Sequence, residues 1–488
     1  MMQKSNPLLS SFKLKATWKA FILLFTFQVF CITNKAQTPS FLGMNRFGIN
    51  SEGILFKVNG DGSGFSDLYD FKQYVDSSGL DPFGTLCKAI NNKYYGVTYS
   101  GGTGSIYSGV IFSFDLSTNS YQRLYTFGQT SATFPMGYDQ NFIQANNGLL
   151  YAMSWGGGLH GGGAIYTLDP STNAYAEVYQ FNKPTGELPH GNFTYTANGK
   201  FYGTTFRGGA NDSGTVFSYN PNSNVYQMLS GLNSSTGDFP SCTLVQASNG
   251  KLYGTTVRGG LINQGSIFSL DTGTNLLTKV YDFDTLHGYY TEYSDNAILA
   301  SDGKIYGTTA LGGGNGGGVL YSFDPVSNTY NVEYHFTNST GYSSVSAPLQ
   351  ASDGNLYGMT NLGGAHGLGV VFRYDLSTHT YTDIMDFDAT VSGKNPTGGL
   401  VELPLGVGII SKQENQFELF PNPAKESVRI SCPNPIDEIR VTDVSGREIQ
   451  LLKPLQNNYS LQMNGPGIFF VTVISKGGIS TKKIIVLP

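Results

Sequence analysis

The chain is poor in charge, histidine, cysteine and tryptophan. Asp, Glu, Lys and Arg make up only 13% of its 488 residues, about half of the usual share. The net charge of −5 is spread along the chain. No basic face is present of the kind that holds nucleic acid through its phosphates, so no nucleic-acid partner is expected. Four cysteines and six histidines are present, and none stands at the spacing of a zinc site. "NGDGSG" (Asn59–Gly64) lacks the ligand spacing of a calcium loop. His160, His190, His287, His335, His366 and His379 form no HxH or HExxH pattern, and no Gly-x-Ser-x-Gly elbow occurs. The expectation is therefore no catalytic residue, no metal and no cofactor. The histidines read as ordinary surface or satisfied positions. After the N-terminal region no apolar run reaches the ~20 residues of a spanning helix, so no transmembrane segment is expected.

The N-terminus itself has a different character. Lys4, Lys13, Lys15 and Lys19 precede the apolar "AFILLFTFQVFCI" (Ala20–Ile32), and the polar "TNKAQT" follows. That layout reads as a secretory signal peptide over 1–36, with cleavage near Ala36 or Gln37. Bulky Phe30 before Cys31 argues against lipid attachment. Cys87, Cys242 and Cys432 then remain. They read as buried or free thiols, with a Cys87–Cys242 disulfide left open.

What the chain has in abundance is glycine (63), tyrosine (31) and phenylalanine (32), a composition of tight turns and β-strands. "KLYGTTVRGG" (Lys251–Gly260) is preceded by "KFYGTTFRGG" (Lys200–Gly209) and followed by "KIYGTTALGG" (Lys304–Gly313). Anchored on Leu42, Tyr95, Tyr151, Tyr202, Tyr253, Tyr306 and Tyr357, the units are 53, 56, 51, 51, 53 and 51 residues apart. Each carries a glycine six residues on, then a Gly-x-[Ile/Val/Leu]-[Phe/Tyr] step. An Asp- or Asn-led turn follows, and a closing "LYDF"-type strand ends the unit. Four short strands per unit cannot bury two faces alone, but stacked copies can. The fold expected over 41–405 is all-β: a seven-bladed β-propeller, with an open β-solenoid as the alternative. "PTGGLVEL" (Pro396–Leu403) is an orphan lead after the seventh unit, and the first unit lacks one. A C-terminal strand near Gly399–Leu403 is thus expected to complete the blade begun at Phe41.

The units, above all Lys200–Phe217 and Lys251–Phe268, resemble the GloVer tandem repeat, a kelch-like bacterial family. The resemblance implies architecture and a secreted setting and no particular activity. After a linker at 406–414, residues 415–488 read as a small β-sandwich. Pro421, Asn422 and Pro423, the turn from Asp443 through Gly446 to Arg447, Gly467 in "GIFFV", and the closing Lys482 and Lys483 resemble the Por secretion tail, the type A sorting domain of type IX secretion. That resemblance implies a bacterium of the Bacteroidetes type, an outer-membrane translocon as partner, and a secreted or outer-surface location.

The repeated acids Asp115, Asp169, Asp271, Asp324 and Asp375 stand one per unit in turns, too far apart for paired-carboxylate chemistry. More informative are the positions where the copies disagree. Tyr99, Trp155, Phe206, Arg207 and Arg258, with Val257 and Asn361, fall between the "YGTT" step and the glycines. On one rim they would offer aromatic faces and two arginines to a glycan or a protein. Otherwise the aromatics pack between blades. The expected function is a secreted or cell-surface binding or adhesion propeller. A polysaccharide-acting enzyme and a purely structural surface component are the alternatives.

Overall fold

The computed structural model describes residues 38–48, 52–72, 78–102, 109–128, 141–291, 297–344, 346–404, 417–443, 448–463, 465–475 and 478–487. The expected signal peptide, the 406–414 linker and the turn holding Gly446 and Arg447 lie outside the described residues. Among the described residues every regular element is a β-strand. The repeats fold into seven small antiparallel sheets and the tail into one more.

The fourth sheet shows the plan. Its strands are Glu187–Tyr195, Phe201–Arg207, Thr215–Asn220 and Val225–Gly231, hydrogen-bonded in chain order. The second and third strands are buried almost throughout because a neighbouring sheet covers each face. The fourth alternates toward solvent. Gly254, in the fifth sheet's second strand, faces Phe268 on the third. A Cβ there would lie 2.6 Å from the Phe268 ring tip, so the glycine of "YGTT" makes room for that ring. The Asp of each turn caps its own backbone: Asp169 accepts from the Ser171 N–H at 2.8 Å, and Asp375 from that of Ser377 at 2.8 Å.

Apolar clusters join each sheet to the next, and one of them joins the seventh to the first through Tyr357, Met359, Phe41 and Phe56. The ring is therefore closed, as a propeller requires and an open solenoid does not. The closing strand is where the orphan lead predicts it. Leu42 pairs with Val401 and Phe41 with Glu402, while Asn45 pairs with Pro396.

Three layers of contact repeat around the seams. On the inner strands, side chains hand hydrogen bonds from sheet to sheet. Gly399 N–H donates to Thr85 Oγ1 at 2.8 Å, Thr85 N–H to Asn141 Oδ1, Asn141 N–H to Asn192 Oδ1 at 2.6 Å, and Asn192 N–H to Thr243 Oγ1 at 2.9 Å. In the middle, anchor tyrosines reach the next sheet's turn: Tyr151 OH donates to the Pro221 carbonyl at 3.2 Å and Tyr253 OH to that of Pro325 at 3.1 Å. On the outer strands, tyrosines stack nearly parallel at five seams. The pairs are Tyr69–Tyr121, Tyr125–Tyr175, Tyr179–Tyr226, Tyr281–Tyr330 and Tyr334–Tyr381, with centroids 3.8–4.2 Å apart. At the two remaining seams both partners change together, to Ser230 with Leu277 and to Met385 with Phe65.

The tail is built on one long strand, Ser427–Asp443, which pairs with Glu418–Phe420, Glu448–Leu452, Gln456–Gln462 and Gly467–Ser475. The last of these pairs with Gly478–Val486. Val428, Ile430, Ile439, Val441, Val471, Val473 and Ile484 fill its core. The Pro421–Pro423 segment runs along the edge of the last strand. Asn422 Nδ2 donates to the Lys483 carbonyl at 2.8 Å, and Asn422 Oδ1 accepts from the Ile485 N–H at 3.0 Å. A side-chain amide thus stands in for a strand's backbone and blunts an otherwise open edge. Asp443 ends the long strand, Gly467 begins the next, and Lys482 and Lys483 are exposed, with the Lys482 ammonium 5.3 Å from the Phe417 ring.

Candidate functional site

Because the sheets are equivalent, the ends of their second strands all lie on one rim. Ends of second strands pair there with starts of first strands: Ser100 with Leu80, Arg207 with Glu187, Arg258 with Asp238, Leu362 with Tyr342. The loop after the Gly pair and the loop entering each sheet share that rim. Turns led by Asn249, Asp271 and their equivalents occupy the other.

The rim also carries a feature with no signal in the sequence. In six of the seven units, the residue after the one that pairs with the second strand's end has a left-handed backbone: Asp81 (φ 52°), Leu188 (55°), Phe239 (58°), Tyr290 (63°), Ser343 (55°) and Asn395 (54°). In the third unit this position lies outside the described residues. Asp and Asn tolerate that region, but Leu, Phe and Tyr do not favour it, at roughly 1 kcal/mol or more each. A strain repeated at one register position is imposed by the scaffold, and it points six different side chains to the same place.

At three seams these residues meet the variable positions of the neighbouring sheet. Arg46 pairs with Asp81 of the next sheet at 3.5 Å, and its guanidinium lies 5.4 Å from the Phe83 ring. Phe206 stacks on Phe239 at 5.1 Å, and the His190 ring lies tilted to it at 5.7 Å. Asn361 Nδ2 donates to the Pro396 carbonyl at 3.1 Å, and Asn395 Nδ2 donates back to the Asn361 carbonyl at 3.0 Å. Phe206 is thus held in a seam. Tyr99 is half-buried beside Phe83, with ring centroids 5.7 Å apart, and Trp155 is also half-buried. At the next position outward Arg207, Arg258 and Leu311 are exposed, whereas Ser100 and Gly156 are buried. Arg207 lies 5.2 Å over the Phe239 ring and shares Asp212 with Lys183, at 3.7 and 3.1 Å. Arg258 is exposed and makes no ion pair among the described residues. The five candidate residues share the rim but do not converge on one point; they are distributed over the second to fifth sheets.

His190 is buried, and burial pushes its pKa down to about 4, so the ring is neutral at neutral pH. Among the described residues no group of three His, Cys, Asp or Glu side chains converges as a metal site requires. Cys87, Cys242 and Cys432 are thiols outside any disulfide among the described residues, and burial pushes the Cys87 thiol up to about 11. The opposite rim holds one polar cluster that breaks the repeat. Glu333 accepts from Ser322 Oγ at 2.6 Å and Tyr374 OH at 2.5 Å, and His379 Nδ1 lies 3.2 Å away. The other six units carry Leu68, Leu124, Val178, Leu229, Val280 and Ile384 in its place. No helix among the described residues is long and apolar enough to cross a membrane.

Comparison with known proteins bears on the two parts separately. The Gloeobacter/Verrucomicrobia repeat matches residues 29–194, 136–296 and 285–407. The secretion system C-terminal sorting domain matches residues 418–487. No curated protein matches the chain in sequence. Among solved structures it is similar to PorZ of Porphyromonas gingivalis, described as an essential bacterial surface component of the type-IX secretion system, with 13% identity and a TM-score of 0.46 over 89% of this chain. The match spans 63% of PorZ. It is also similar to a puromycin-hydrolyzing peptidase of Mycobacterium tuberculosis, with 10% identity and a TM-score of 0.48 over 82% of this chain and 58% of that one. A fungal alcohol oxidase solved with copper matches with 13% identity and a TM-score of 0.44 over 92% and 94% of the two chains. The sorting tail assigns export by type IX secretion, to the outer cell surface or beyond it. With its repeats matched from residue 29 to residue 407, the chain belongs to the Gloeobacter/Verrucomicrobia repeat family.

Proposed function

We propose that this is a ligand-binding propeller of the cell surface, engaging a glycan or a protein through the rim that carries the second-strand ends and the Gly-pair loops. One observation carries the reading. At the outermost second-strand position the exposed residues Arg207, Arg258 and Leu311 stand on an equivalent backbone, and their identities differ from unit to unit. The inner hydrogen bonds and outer tyrosine stacks serve the ring; varied side chains on a constant frame serve recognition. The sorting tail engages the type IX translocon, and the leader over 1–36 brings the chain to it. The test is binding by the exported chain to arrays of glycans and peptides. The double variant Arg207→Ala with Arg258→Ala is expected to lose binding at least tenfold. Equal binding by the variant removes the rim from consideration.

A further inference from the structure

Deepening that reading, and resting on it, we infer that the rim's ligand is a protein, held at the fifth and sixth sheets by an aliphatic patch beside one cation. The residue after the Gly pair has its N–H captured by the outer strand of its own sheet. Leu159 N–H donates to Gln180 Oε1 at 2.9 Å, Leu261 N–H to Asp282 Oδ1 at 2.8 Å, and Gly314 N–H to His335 Nδ1 at 2.9 Å. Further bonds fix the fifth sheet's loop: Gly259 N–H to Asn263 Oδ1 at 2.9 Å and Gly260 N–H to the Ser234 carbonyl at 2.8 Å. The backbone is pinned, yet the side chains point outward. Leu261 is 81% exposed and Ile262 54%. Leu286, 69% exposed, stands on the loop that enters the sixth sheet. That loop is tied to the sixth sheet's Gly pair by a bond from Gly313 N–H to the Thr285 carbonyl at 2.9 Å. Leu286 N–H is itself held by Asp284 at 2.8 Å.

Exposed aliphatic side chains on a pinned backbone lose little freedom on binding. They suit apolar protein surface. Sugars stack instead on open aromatic faces, and the candidate rings Tyr99, Trp155 and Phe206 are half-buried, Phe206 with the His190 and Phe239 rings against it. Arg258 supplies the charge term. It stands three residues before Leu261, exposed and without an ion pair among the described residues. Its complement is a carboxylate at the edge of the partner's apolar surface.

The probes are a displayed library of random peptides and an array of oligosaccharides, both presented to the full exported chain. The expected result is selection of peptides that combine apolar side chains with Asp or Glu. Their affinity should fall at least tenfold for Leu261→Asp and for Arg258→Glu, and stay unchanged for Leu276→Asp on the opposite rim. Unchanged thermal unfolding of the three variants shows that folding is not the cause. If oligosaccharides are bound and that binding is lost in Leu261→Asp or Arg258→Glu, the protein inference falls and the rim reading stands. If neither probe responds to these two variants, both fall.

Discussion

If the seams hold the ring, removing one tyrosine from an outer stack should cost more than its own contacts predict when its partner is present. Tyr334 and Tyr381 are the sharpest case, with ring centroids 3.8 Å apart and planes 4° from parallel. Tyr381 also donates to the Thr340 carbonyl at 2.6 Å and stacks on Phe372 at 5.4 Å. Tyr381→Phe removes only the hydrogen bond, about 1 kcal/mol. Tyr381→Leu removes the ring contacts as well, for a total of about 2–3 kcal/mol. The stack itself is isolated by combining Tyr334→Leu with Tyr381→Leu, for which a coupling of about 1 kcal/mol is expected. Urea unfolding of the exported chain supplies the four free energies. Tyr226, in a different seam, is the reference: paired with Tyr381→Leu, a Tyr226→Leu change should add within about 0.5 kcal/mol. A Tyr334–Tyr381 coupling no larger than this reference would refute the seam argument.

Other perturbations follow from the same geometry. Burial alone would raise the Glu333 carboxyl, but hydrogen bonds from Ser322, Tyr374 and His379 outweigh it and hold the pKa below the usual range. Glu333→Ala, which leaves the Ser322 and Tyr374 hydroxyls without their acceptor, is therefore expected to cost about 2 kcal/mol, and Glu333→Leu, which restores the residue type of the other units, clearly less; equal losses on urea unfolding would contradict this. Asp383 behaves oppositely: burial and then the neighbouring Asp386 charge raise it to about 6. A raised carboxyl stabilises the fold at low pH, and that stability is lost as pH rises through 6. Asp383→Asn should accordingly be more stable than the parent at pH 8, by about 1 kcal/mol after discounting for solvent screening, and no different at pH 4. Asn422→Ala should strip exchange protection from the Ile485 amide while leaving the propeller's melting unchanged. Retained protection would mean that the Pro-Asn-Pro segment does not hold that edge.

The repeat, its closure by a strand from the far end, and the turn role of Asp115, Asp169, Asp271, Asp324 and Asp375 were legible in the sequence. Each follows from local chemistry written several times over: an acid two residues before the N–H it accepts, a glycine opposite a ring, a lead segment without a unit. The inner hydrogen-bond chain was not legible, because its members are Gly399, Thr85, Asn141, Asn192 and Thr243. No single residue type marks the position: Thr and Asn each occur twice and Gly once, with a backbone donor in common and, Gly399 apart, a side-chain acceptor. Nor were the left-handed positions. Leu188 and Phe239 each precede a proline, a context that favours extended backbone, so local preference pointed away from the conformation that the ring imposes.

The variable positions show how a repeat protein separates two kinds of difference. Where Arg46 faces Asp81, Phe206 faces Phe239 and Asn361 faces Asn395, a change on one side is matched on the other, so the variation keeps seven non-identical neighbours in one order around the ring. The Ser230–Leu277 and Met385–Phe65 replacements of the outer stack obey the same rule. Read along a single unit, such positions look free; read across a seam, they are as constrained as the core. Arg258 and Leu261 answer to no neighbour in this way. Their side chains project from loops whose backbone is fixed by Asp282, Asn263 and Ser234, and nothing in the packing of the ring selects their identity. On the proposed reading their identity answers to what the rim binds, which is why the decisive substitutions are Arg258→Glu and Leu261→Asp rather than the larger aromatic at Phe206.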